Sequence, residues 1–392
     1  MGKSMEIMAD EIAAQAKIFE LYGEDIMQQV EQIFKKTNLD AKIDRIYITG
    51  CGDSYCAALA SRDFFIKYAK VHVEVYQAID FSRYVCPNEV DEHAAVISIS
   101  SSGEVARTIE CALRAKEKNA FSIGVTSNPK SRLAQAAGEK IVVEIPAAIG
   151  VAPGTHSYMA SQLAIVCFAI ALGKARGVID DAKVLDIFEY IAEIGRAMKT
   201  TVETNFDLIR KYIEAYSMDE NPNKIKIFHI LGSGPNWATA QFGSMKLLEA
   251  SGFDSVPQGI EEWAHAQYFT TRPGTHTVVL APRGGSRERA IEILQAVTVM
   301  DGKKIVIGEE NDEELARSAD IYLPICGMEN IKEEFSQLLY PIPLEIMAMH
   351  ISEVFGVTPF EFDKKPWRKT ENFRQIFKSK IVPLKNENGE PA

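Results

Sequence analysis

Two matching stretches of sequence decide the fold: Arg45-Ile-Tyr-Ile-Thr-Gly-Cys-Gly-Asp-Ser54 and Ile227-Phe-His-Ile-Leu-Gly-Ser-Gly-Pro-Asn236. In each stretch, alternating apolar residues lead into a Gly-x-Gly turn, so that Gly50 corresponds to Gly232. The same spacing of 182 residues (232 − 50) recurs downstream, and we call it the repeat offset. It relates Gly103 to Gly285, Arg107 to Arg289, Ile109-Glu110 to Ile291-Glu292, and Leu133-Ala134 to Leu315-Ala316. So many matches in one register indicate two copies of one fold.

Each copy alternates short β-branched runs with helical patterns. In the first copy, five runs are predicted to be strands: Arg45–Thr49, Val71–Tyr76, Ala95–Ser100, Phe121–Thr126 and Ile141–Ile145. Strands that alternate with helices are typical of a parallel sheet with helices on both faces. The sequence therefore predicts the α/β class, with two tandem doubly wound parallel-sheet domains of flavodoxin-like type.

The helical patterns outside the two copies divide the rest of the chain. The pattern around Ile12 to Phe34 predicts an N-terminal helical segment, residues 1–40. The first domain is expected at 41–180, a helical connection at 181–222, and the second domain at 223–355. An apolar helix from Leu344 to Phe355 ends the second domain, and a charged tail follows at 356–392.

Composition limits the classes of function. The 392 residues are 46% apolar, and 43 basic against 54 acidic residues give a net charge of −11, the wrong sign for holding nucleic acid by its phosphates. The longest uncharged apolar run, Leu163 to Leu172, is about half of the ~20 residues that a membrane-spanning helix needs. Six scattered cysteines show no zinc spacing. We therefore expect a cytoplasmic protein without a membrane anchor, disulfides, metal or cofactor.

Two turns of the first domain are suited to binding an anion. Gly50-Cys-Gly-Asp-Ser54 follows the first predicted strand, and Ser100-Ser-Ser-Gly103 follows the third. Ligands collect at the carboxyl ends of parallel strands, where helix N-termini favour anions and serine hydroxyls can donate to a phosphate. A single serine could simply cap a helix. Three consecutive serines near a second glycine turn favour phosphate binding.

The second domain serves as an internal comparison. At the repeat offset, Ser100, Ser101 and Ser102 are replaced by Pro282, Arg283 and Gly284, so the hydroxyl cluster is absent there. Neither glycine turn completes G-x-G-x-x-G, and no P-loop sequence occurs. The expected ligand is therefore a small phosphorylated molecule held by the first domain alone.

Catalytic candidates lie in the second domain. Lys246 and Glu249 are three residues apart on a predicted helix from Ala238 to Ser251, so they share one face. His265 follows Glu249 by sixteen residues. Taken alone, a Lys–Glu pair at this spacing is most often a solvated ion pair. A carboxylate and a histidine could instead supply the base and the acid-base group that sugar isomerisation needs.

These motifs resemble those of the sugar isomerase (SIS) family of phosphosugar-binding proteins. The resemblance rests on Gly50–Tyr55, on the Ser100-x-Ser-Gly-Glu104 turn, and on Gly150-Val-Ala152 before a helix with Gln162-Leu163. It begins at Glu11-Ile12-x-x-Gln15, covers nearly the whole chain, and is strongest to the isomerase half of the glucosamine-6-phosphate synthases. It therefore implies tandem SIS domains.

The resemblance also implies roles for individual residues. Ser54, Ser100, Ser101 and Ser102 would hold the sugar phosphate, in a turn that includes Gly52 and Asp53. Glu249 would move a proton between the first two sugar carbons beside Lys246, and His265 of a neighbouring subunit would help to open the ring. Lys378 in the tail would correspond to a lysine that forms an imine. Pro153–His156 departs from the synthase pattern, so Ala152, Thr155 and His156 are expected to contact the sugar differently.

The resemblance leaves three functions open. The first is aldose–ketose isomerisation of a fructose-6-phosphate or glucosamine-6-phosphate type of substrate, with amination or deamination. The second is cleavage of 6-phosphofructosyl amino acids by a deglycase. The third is non-catalytic sensing of a phosphosugar. The chain starts at the helix before the first domain, so no glutaminase domain is expected. The expected assembly is a homodimer or higher homo-oligomer with shared sites.

Overall fold

A computed structural model describes residues 3–145, 152–218, 227–360 and 379–383. The chain forms two compact units. The first, here the β6–β10 unit, comprises Met1–Glu20, Ala147–Met159 and Ile187–Phe360. The second, the β1–β5 unit, comprises Leu21–Pro146, Ala160–Asp186 and Glu361–Ala392. The N-terminal helix belongs to the β6–β10 unit, where it packs against the last helix of that unit.

The β1–β5 unit contains one parallel sheet with the strand order β2-β1-β3-β4-β5. Its strands are β1 (Arg45–Gly50), β2 (His72–Gln77), β3 (Ala94–Ile99), β4 (Phe121–Thr126) and β5 (Glu139–Val142). The predicted strand Ile141–Ile145 starts too late, since β5 begins at Glu139. This edge strand opens with the polar residues Glu139 and Lys140, which pair with Ile123 and Gly124 of β4. The other four predicted strands are confirmed to within one residue at each end.

The β6–β10 unit repeats this sheet with the order β10-β9-β8-β6-β7, again with all strands parallel. The strands are β6 (Ile227–Leu231), β7 (Asp254–Gln258), β8 (His276–Leu280), β9 (Lys303–Glu309) and β10 (Ile321–Ile325). Each begins at the repeat offset from its counterpart in the first sheet, as Ile227 does from Arg45. The internal repeat and the tandem doubly wound fold predicted from the sequence are therefore confirmed.

Helices cover both faces of the sheets. The described α-helices are α1 (Lys3–Ala14), α2 (Ile18–Thr37), α3 (Leu39–Lys42), α4 (Asp53–Phe64), α5 (Ala78–Asp80), α6 (Cys86–Glu89), α7 (Ala106–Glu117), α8 (Arg132–Ala136), α9 (His156–Ala175), α10 (Asp181–Ser217), α11 (Asn236–Ser251), α12 (Ile260–Trp263), α13 (Arg287–Val299), α14 (Glu313–Ser318), α15 (Glu333–Ser336) and α16 (Pro341–Val354). The predicted long connection is α10, and the predicted apolar helix after Pro341 is α16.

One helix is long and apolar enough to cross a membrane by length and composition alone. It is α9, 20 residues long with a mean hydropathy of 1.5 over its most apolar window. This helix is longer than the apolar run from Leu163 to Leu172 indicates, since the buried residues Tyr158, Met159 and Ala160 extend it toward its N-terminus. Because 89% of that window is buried in the protein, α9 has the pattern of a core helix.

Candidate active site

The two turns predicted to bind an anion lie side by side at the carboxyl edge of the first sheet. In the strand order β2-β1-β3-β4-β5, the chain proceeds from β1 to β2 at one edge of the sheet and then from β3 toward the other edge. The adjacent strands β1 and β3 are parallel and pair Thr49 with Ser98. Doubly wound sheets bind ligands at this switch point, where the loops that leave the two strands diverge. The turn after Gly50 and the turn after Ile99 both start there.

The turn after β1 depends on its glycines. A Cβ atom on Gly50 would lie 2.7 Å from the carbonyl carbon of Ser54, so only glycine lets α4 start this close to the strand. Gly52 has a φ of +56°, a left-handed conformation that favours glycine. The helix then begins at Asp53. Gly52, Asp53 and Ser54 are thus placed at the N-terminus of a 12-residue helix, where the macrodipole favours an anion.

The serine turn after β3 is internally ordered. Ser100 Oγ accepts a hydrogen bond from the Gly103 amide at 3.1 Å, and Ser102 Oγ accepts one from the Glu104 amide at 3.2 Å. A hydroxyl that accepts through its oxygen can still donate its own proton to a bound anion. The Ser101 hydroxyl lies 3.0 Å from the Ser127 hydroxyl, which follows the neighbouring strand β4. The Ser100 and Ser102 hydroxyls therefore remain able to donate hydrogen bonds to an anion.

The alternative reading, that these serines cap a helix, does not describe α7. Its N-cap residue is Val105, and no side chain caps it. Gly103 has a φ of +68°, and a Cβ atom there would lie 2.1 Å from Ser131 Oγ. Glycine is therefore required both by the backbone conformation and by the close approach of the next loop.

The corresponding loop of the β6–β10 unit contains charged side chains in place of the serine hydroxyls. At the repeat offset, the Ser101–Ser127 pair is replaced by Arg283 and Glu309, whose Nε and Oε2 atoms are 3.7 Å apart. Glu333 Oε2 accepts a hydrogen bond from the Gly285 amide at 3.1 Å. A Cβ atom on Gly284 would lie 2.1 Å from the Glu333 carboxyl carbon. A carboxylate thus lies against the backbone where the first sheet has its serine turn.

The Lys246–Glu249 pair lies on α11 of the β6–β10 unit. Nζ of Lys246 donates to Oε2 of Glu249 at 2.5 Å and to the Gly154 carbonyl at 3.1 Å. The ammonium also lies 5.1 Å from the centre of the Phe242 ring. The Lys246 side chain is 0% exposed, whereas that of Glu249 is 33% exposed. This arrangement excludes the solvated surface ion pair, because such a lysine would be accessible to water.

The segment before α9 is brought against this pair. Gly154, which accepts from Lys246, precedes Thr155, whose amide and hydroxyl donate to Glu11 Oε2 at 3.1 and 3.4 Å. Burial lowers the pKa of His156, and the nearby Glu11 carboxylate partly opposes that change. His156 is therefore neutral at pH 7 and able either to donate or to accept. The structure thus brings Gly154, within the segment of residues 152–156, into contact with Lys246.

His265 is placed differently. It follows α12, its side chain is 67% exposed, and its Nε2 atom lies 3.3 Å from Glu261 Oε1. Lys378, the proposed imine-forming residue, lies outside the described residues and stays a prediction. Within the described part of the chain, no group of three or more His, Cys, Asp or Glu side chains could hold a metal ion. All six cysteines are free thiols.

Sequence reasoning missed three contributors to this geometry. Ser127 partners the serine turn from the loop after β4, and Gly154 supplies a carbonyl to Lys246. Glu11, where the family resemblance begins, holds Thr155 through its carboxylate from 144 residues away. No local spacing signals these contacts, because each joins segments that are distant in the sequence.

Comparison with known proteins identifies a family for part of the chain. Residues 41–171 match the SIS domain, a region that includes both the Gly52–Ser54 and the Ser100–Gly103 turns. Residues 41–171 are identified as a SIS domain. The chain's tandem sheets, with one strand order used twice, are two SIS folds in succession.

Curated relatives are similar to this chain over most of its length. The glutamine–fructose-6-phosphate aminotransferase (isomerizing) of Bacteroides thetaiotaomicron is 28% identical over 83% of the chain. That of Pyrococcus horikoshii is 27% identical over 91% of the chain. The matches cover 50% and 56% of those enzymes, so the chain spans about half the length of the curated relatives it matches.

Solved structures share the fold of this chain. The C-terminal domain of a Francisella tularensis glucosamine-fructose-6-phosphate aminotransferase has a TM-score of 0.78 at 23% identity, over 90% of this chain and 97% of the other. A Thermotoga maritima glucosamine-6-phosphate deaminase has a TM-score of 0.65 at 18% identity, over 92% and 98%. At these identities the likeness establishes the fold alone.

Proposed function

We propose that this SIS protein is a phosphosugar isomerase that acts at the first two carbons of an open-chain sugar phosphate. The serine turn of the β1–β5 unit binds the phosphate, and Glu249 transfers the proton. In the forward direction, the Glu249 carboxylate takes the proton from C2 of the aldose while electrons move toward the carbonyl oxygen at C1. The resulting enediolate receives that proton at C1 while the hydroxyl proton on O2 passes to O1, which gives the ketose, so no net oxidation occurs.

The observation that carries this proposal is the fully buried Lys246 ammonium beside a partly exposed Glu249 carboxylate. Burying a cation is costly unless it is paired, so such a pair is seldom incidental. Its hydrogen bonds to Glu249 and to the Gly154 carbonyl hold the carboxylate in a fixed position. A fixed positive charge next to the base also stabilises the negative charge that develops on the enediol oxygens.

His265 is proposed to open the sugar ring in a neighbouring subunit. Its side chain projects into solvent and contacts Glu261 of the same short helix region. An exposed histidine at this position supports a role toward a second copy of the chain. An imidazole can both give and take the proton that ring opening transfers. We therefore propose a homo-oligomer with shared sites.

The substrate proposed for this chain is of the fructose-6-phosphate or glucosamine-6-phosphate type. The support is that the curated relatives named above are fructose-6-phosphate aminotransferases and that a fold neighbour is a glucosamine-6-phosphate deaminase. Amination or deamination would accompany isomerisation, because an amine at C2 of the aldose and an imine at C2 of the ketose interconvert through the same enolamine. The cytoplasmic location expected from the sequence stays a prediction.

One experiment separates the open functions. The protein is incubated in parallel with fructose 6-phosphate plus ammonia, with glucosamine 6-phosphate, and with a 6-phosphofructosyl amino acid, and products are identified by NMR. The proposal predicts product in the first two reactions. Product from the third reaction alone would identify a deglycase, and binding without product in any reaction would identify a sensor.

Matched variants assign the activity to the site. Glu249→Gln should lower turnover by roughly 10²–10⁴, the range for one general acid-base group. Glu288→Gln, which changes an 87% exposed side chain on α13, should leave turnover intact. Equal activity of the two variants would contradict the role given to Glu249.

A further inference from the structure

The motif Glu11-Ile12-x-x-Gln15 has no part in the function proposed above. Glu11 and Ile12 lie on α1, and Gln15 follows the last residue of that helix. Side chains four residues apart on a helix share one face. Ile12 is 2% exposed, and α1 packs against α16 of the β6–β10 unit. The motif thus places two polar side chains on a helix that is part of the core of this unit.

Gln15 fixes the end of α1 on the last helix of the unit. Its Nε2 atom donates to Glu345 Oε2 on α16 at 2.6 Å, and both residues are 0% exposed. A buried carboxylate without a hydrogen-bond partner is costly, so this bond holds α1 in one register on α16. The helix α16 also packs along α11, which carries Lys246 and Glu249. The position of α1 relative to that pair is therefore set in the core.

Glu11 holds the segment that contacts Lys246. Its Oε2 atom accepts hydrogen bonds from the amide and the hydroxyl of Thr155, at 3.1 and 3.4 Å. The carbonyl of the preceding residue, Gly154, accepts from Lys246 Nζ at 3.1 Å. Thr155 is 0% exposed, so its bonds to Glu11 are shielded from water. A carboxylate and an ammonium therefore bind to neighbouring backbone atoms.

One peptide group joins these two contacts. The Thr155 N–H and the Gly154 C=O belong to the same planar amide, so the group that donates to Glu11 is rigidly linked to the group that accepts from Lys246. Hydrogen bonds at both ends of one amide polarise it and strengthen each other. A displacement of the N–H therefore also displaces the carbonyl and the ammonium bound to it.

A second contact links the same segment to the ammonium. Nζ of Lys246 lies 5.1 Å from the centre of the Phe242 ring. That ring stacks on Tyr158, with the ring centres 3.7 Å apart and the planes at 9°. Tyr158 lies three residues after Thr155, in the first turn of α9. The segment held by Glu11 thus contacts Lys246 directly through a carbonyl and indirectly through an aromatic stack.

We propose that Glu11 is a positioning residue for the base Glu249. It acts through the peptide group between Gly154 and Thr155, which in turn holds Lys246. All of these groups lie in the β6–β10 unit, and they follow one another as carboxylate, amide, ammonium and carboxylate. The effect on turnover rests on the isomerase function proposed above, whereas the effect of Glu11 on Lys246 does not.

Acylation of lysine amines tests the effect on Lys246 without any substrate. The full-length protein is treated with limiting acetic anhydride, and labelling of Lys246 is measured by mass spectrometry relative to Lys199, whose side chain is 74% exposed. Glu11→Ala removes the acceptor, Glu11→Gln keeps an acceptor oxygen, and Thr155→Val removes the hydroxyl alone. Glu6→Ala, which changes an exposed residue of α1, is the control. Circular dichroism establishes the folded fraction of each variant.

We expect labelling of Lys246 to rise by about tenfold in Glu11→Ala, because two hydrogen bonds to a carboxylate are lost. The rise should be smaller in Thr155→Val, and labelling in Glu11→Gln and Glu6→Ala should stay at the wild-type level. In the isomerisation of fructose 6-phosphate, kcat per folded site should fall by about 10- to 100-fold in Glu11→Ala, as a displacement of about 1 Å can cause. Since substrate binding is retained, kcat/KM should fall equally. Glu11→Gln should restore most of the turnover.

Each idea has its own contradicting result. Wild-type labelling of Lys246 in Glu11→Ala would overturn the positioning role. Equal changes in Glu6→Ala, or no rescue by Glu11→Gln, would also overturn it, since general destabilisation or the charge of Glu11 would then explain the loss. Increased labelling with unchanged turnover would show that Glu11 does not serve the reaction. A wild-type protein that converts no sugar phosphate, with labelling that still depends on Glu11, would instead refute the proposed isomerase function.

Discussion

Nζ of Lys246 and Oε2 of Glu249 are 2.5 Å apart on one face of α11, with the ammonium buried and the carboxylate partly open to solvent. The pair therefore presents its acidic member outward and keeps its cation against the Gly154 carbonyl. This orientation suits a base that transfers protons, since the carboxylate must reach a substrate while the buried ammonium balances its charge. The pair is the basis of the functional account.

Phosphate binding should depend on the serine turn of the β1–β5 unit. Replacing Ser100 and Ser102 by alanine removes two hydroxyl donors, and each hydrogen bond to a charged group contributes about 1.5–3 kcal/mol. We expect the double variant to weaken binding of fructose 6-phosphate by at least about 1.5 kcal/mol in calorimetry, the lower value for a single bond of this kind. Ser286→Ala, in the repeat loop before α13, should change nothing. Equal losses in both variants would contradict the division of roles.

Glu333 should contribute to the stability of the β6–β10 unit but not to phosphosugar binding. Glu333→Ala removes the acceptor of the Gly285 amide, and we expect a loss of ~1–3 kcal/mol in the free energy of unfolding, measured with urea. Phosphosugar stoichiometry should stay at one per chain, because the hydroxyls of the serine turn have no counterparts at Pro282, Arg283 and Gly284. A second equivalent of bound ligand in this variant would show that the repeat loop still is a phosphate site.

Acid should destabilise the protein through His229. Burial in β6 lowers the pKa of His229 from 6.5 to about 4, so below pH 6.5 the unfolded chain binds a proton that the folded chain does not. The stability is unaffected by this group above pH 6.5, and it falls by about 1.4 kcal/mol per pH unit between pH 6.5 and 4. His229→Gln should flatten that slope in acid unfolding curves. His93→Gln, whose side chain is 59% exposed, should not.

His265 is expected to complete the site of a neighbouring subunit. Glu249→Gln and His265→Ala should each be inactive, but mixing them under subunit exchange should restore part of the activity, since some hybrid sites receive both wild-type residues. Light scattering would establish the oligomer first. A monomeric protein, or a mixture that stays inactive despite demonstrated exchange, would exclude a shared site.

The sheets could be predicted closely because strand positions are encoded locally. Alternating apolar runs repeat at one offset, and all five strands of the second sheet start at that offset from those of the first. Only β5 was misplaced, since an edge strand needs no apolar start and begins with Glu139-Lys140. The serine turn was predictable for the same reason, as its residues are consecutive.

The contacts that shape the candidate site could not be predicted, because they join distant segments. Thr155 meets Glu11 across 144 residues, Gly285 meets Glu333 across 48, and Val382 meets Glu110 across 272. Each contact places a carboxylate on a backbone amide. Such pairs satisfy polar groups that the fold would otherwise leave unpaired, and no spacing in the sequence records which carboxylate will do so.

Exchange of the C2 proton of the sugar phosphate, followed by NMR in deuterated water, tests the central claim most directly. The wild-type protein should replace the C2 proton of glucose 6-phosphate or glucosamine 6-phosphate with deuterium. Glu249→Gln keeps the shape of the side chain and removes the base, so exchange should fall by roughly 10²–10⁴ while ligand binding is retained. Exchange at the wild-type rate in Glu249→Gln would contradict the account, because the proton would then be transferred by another group.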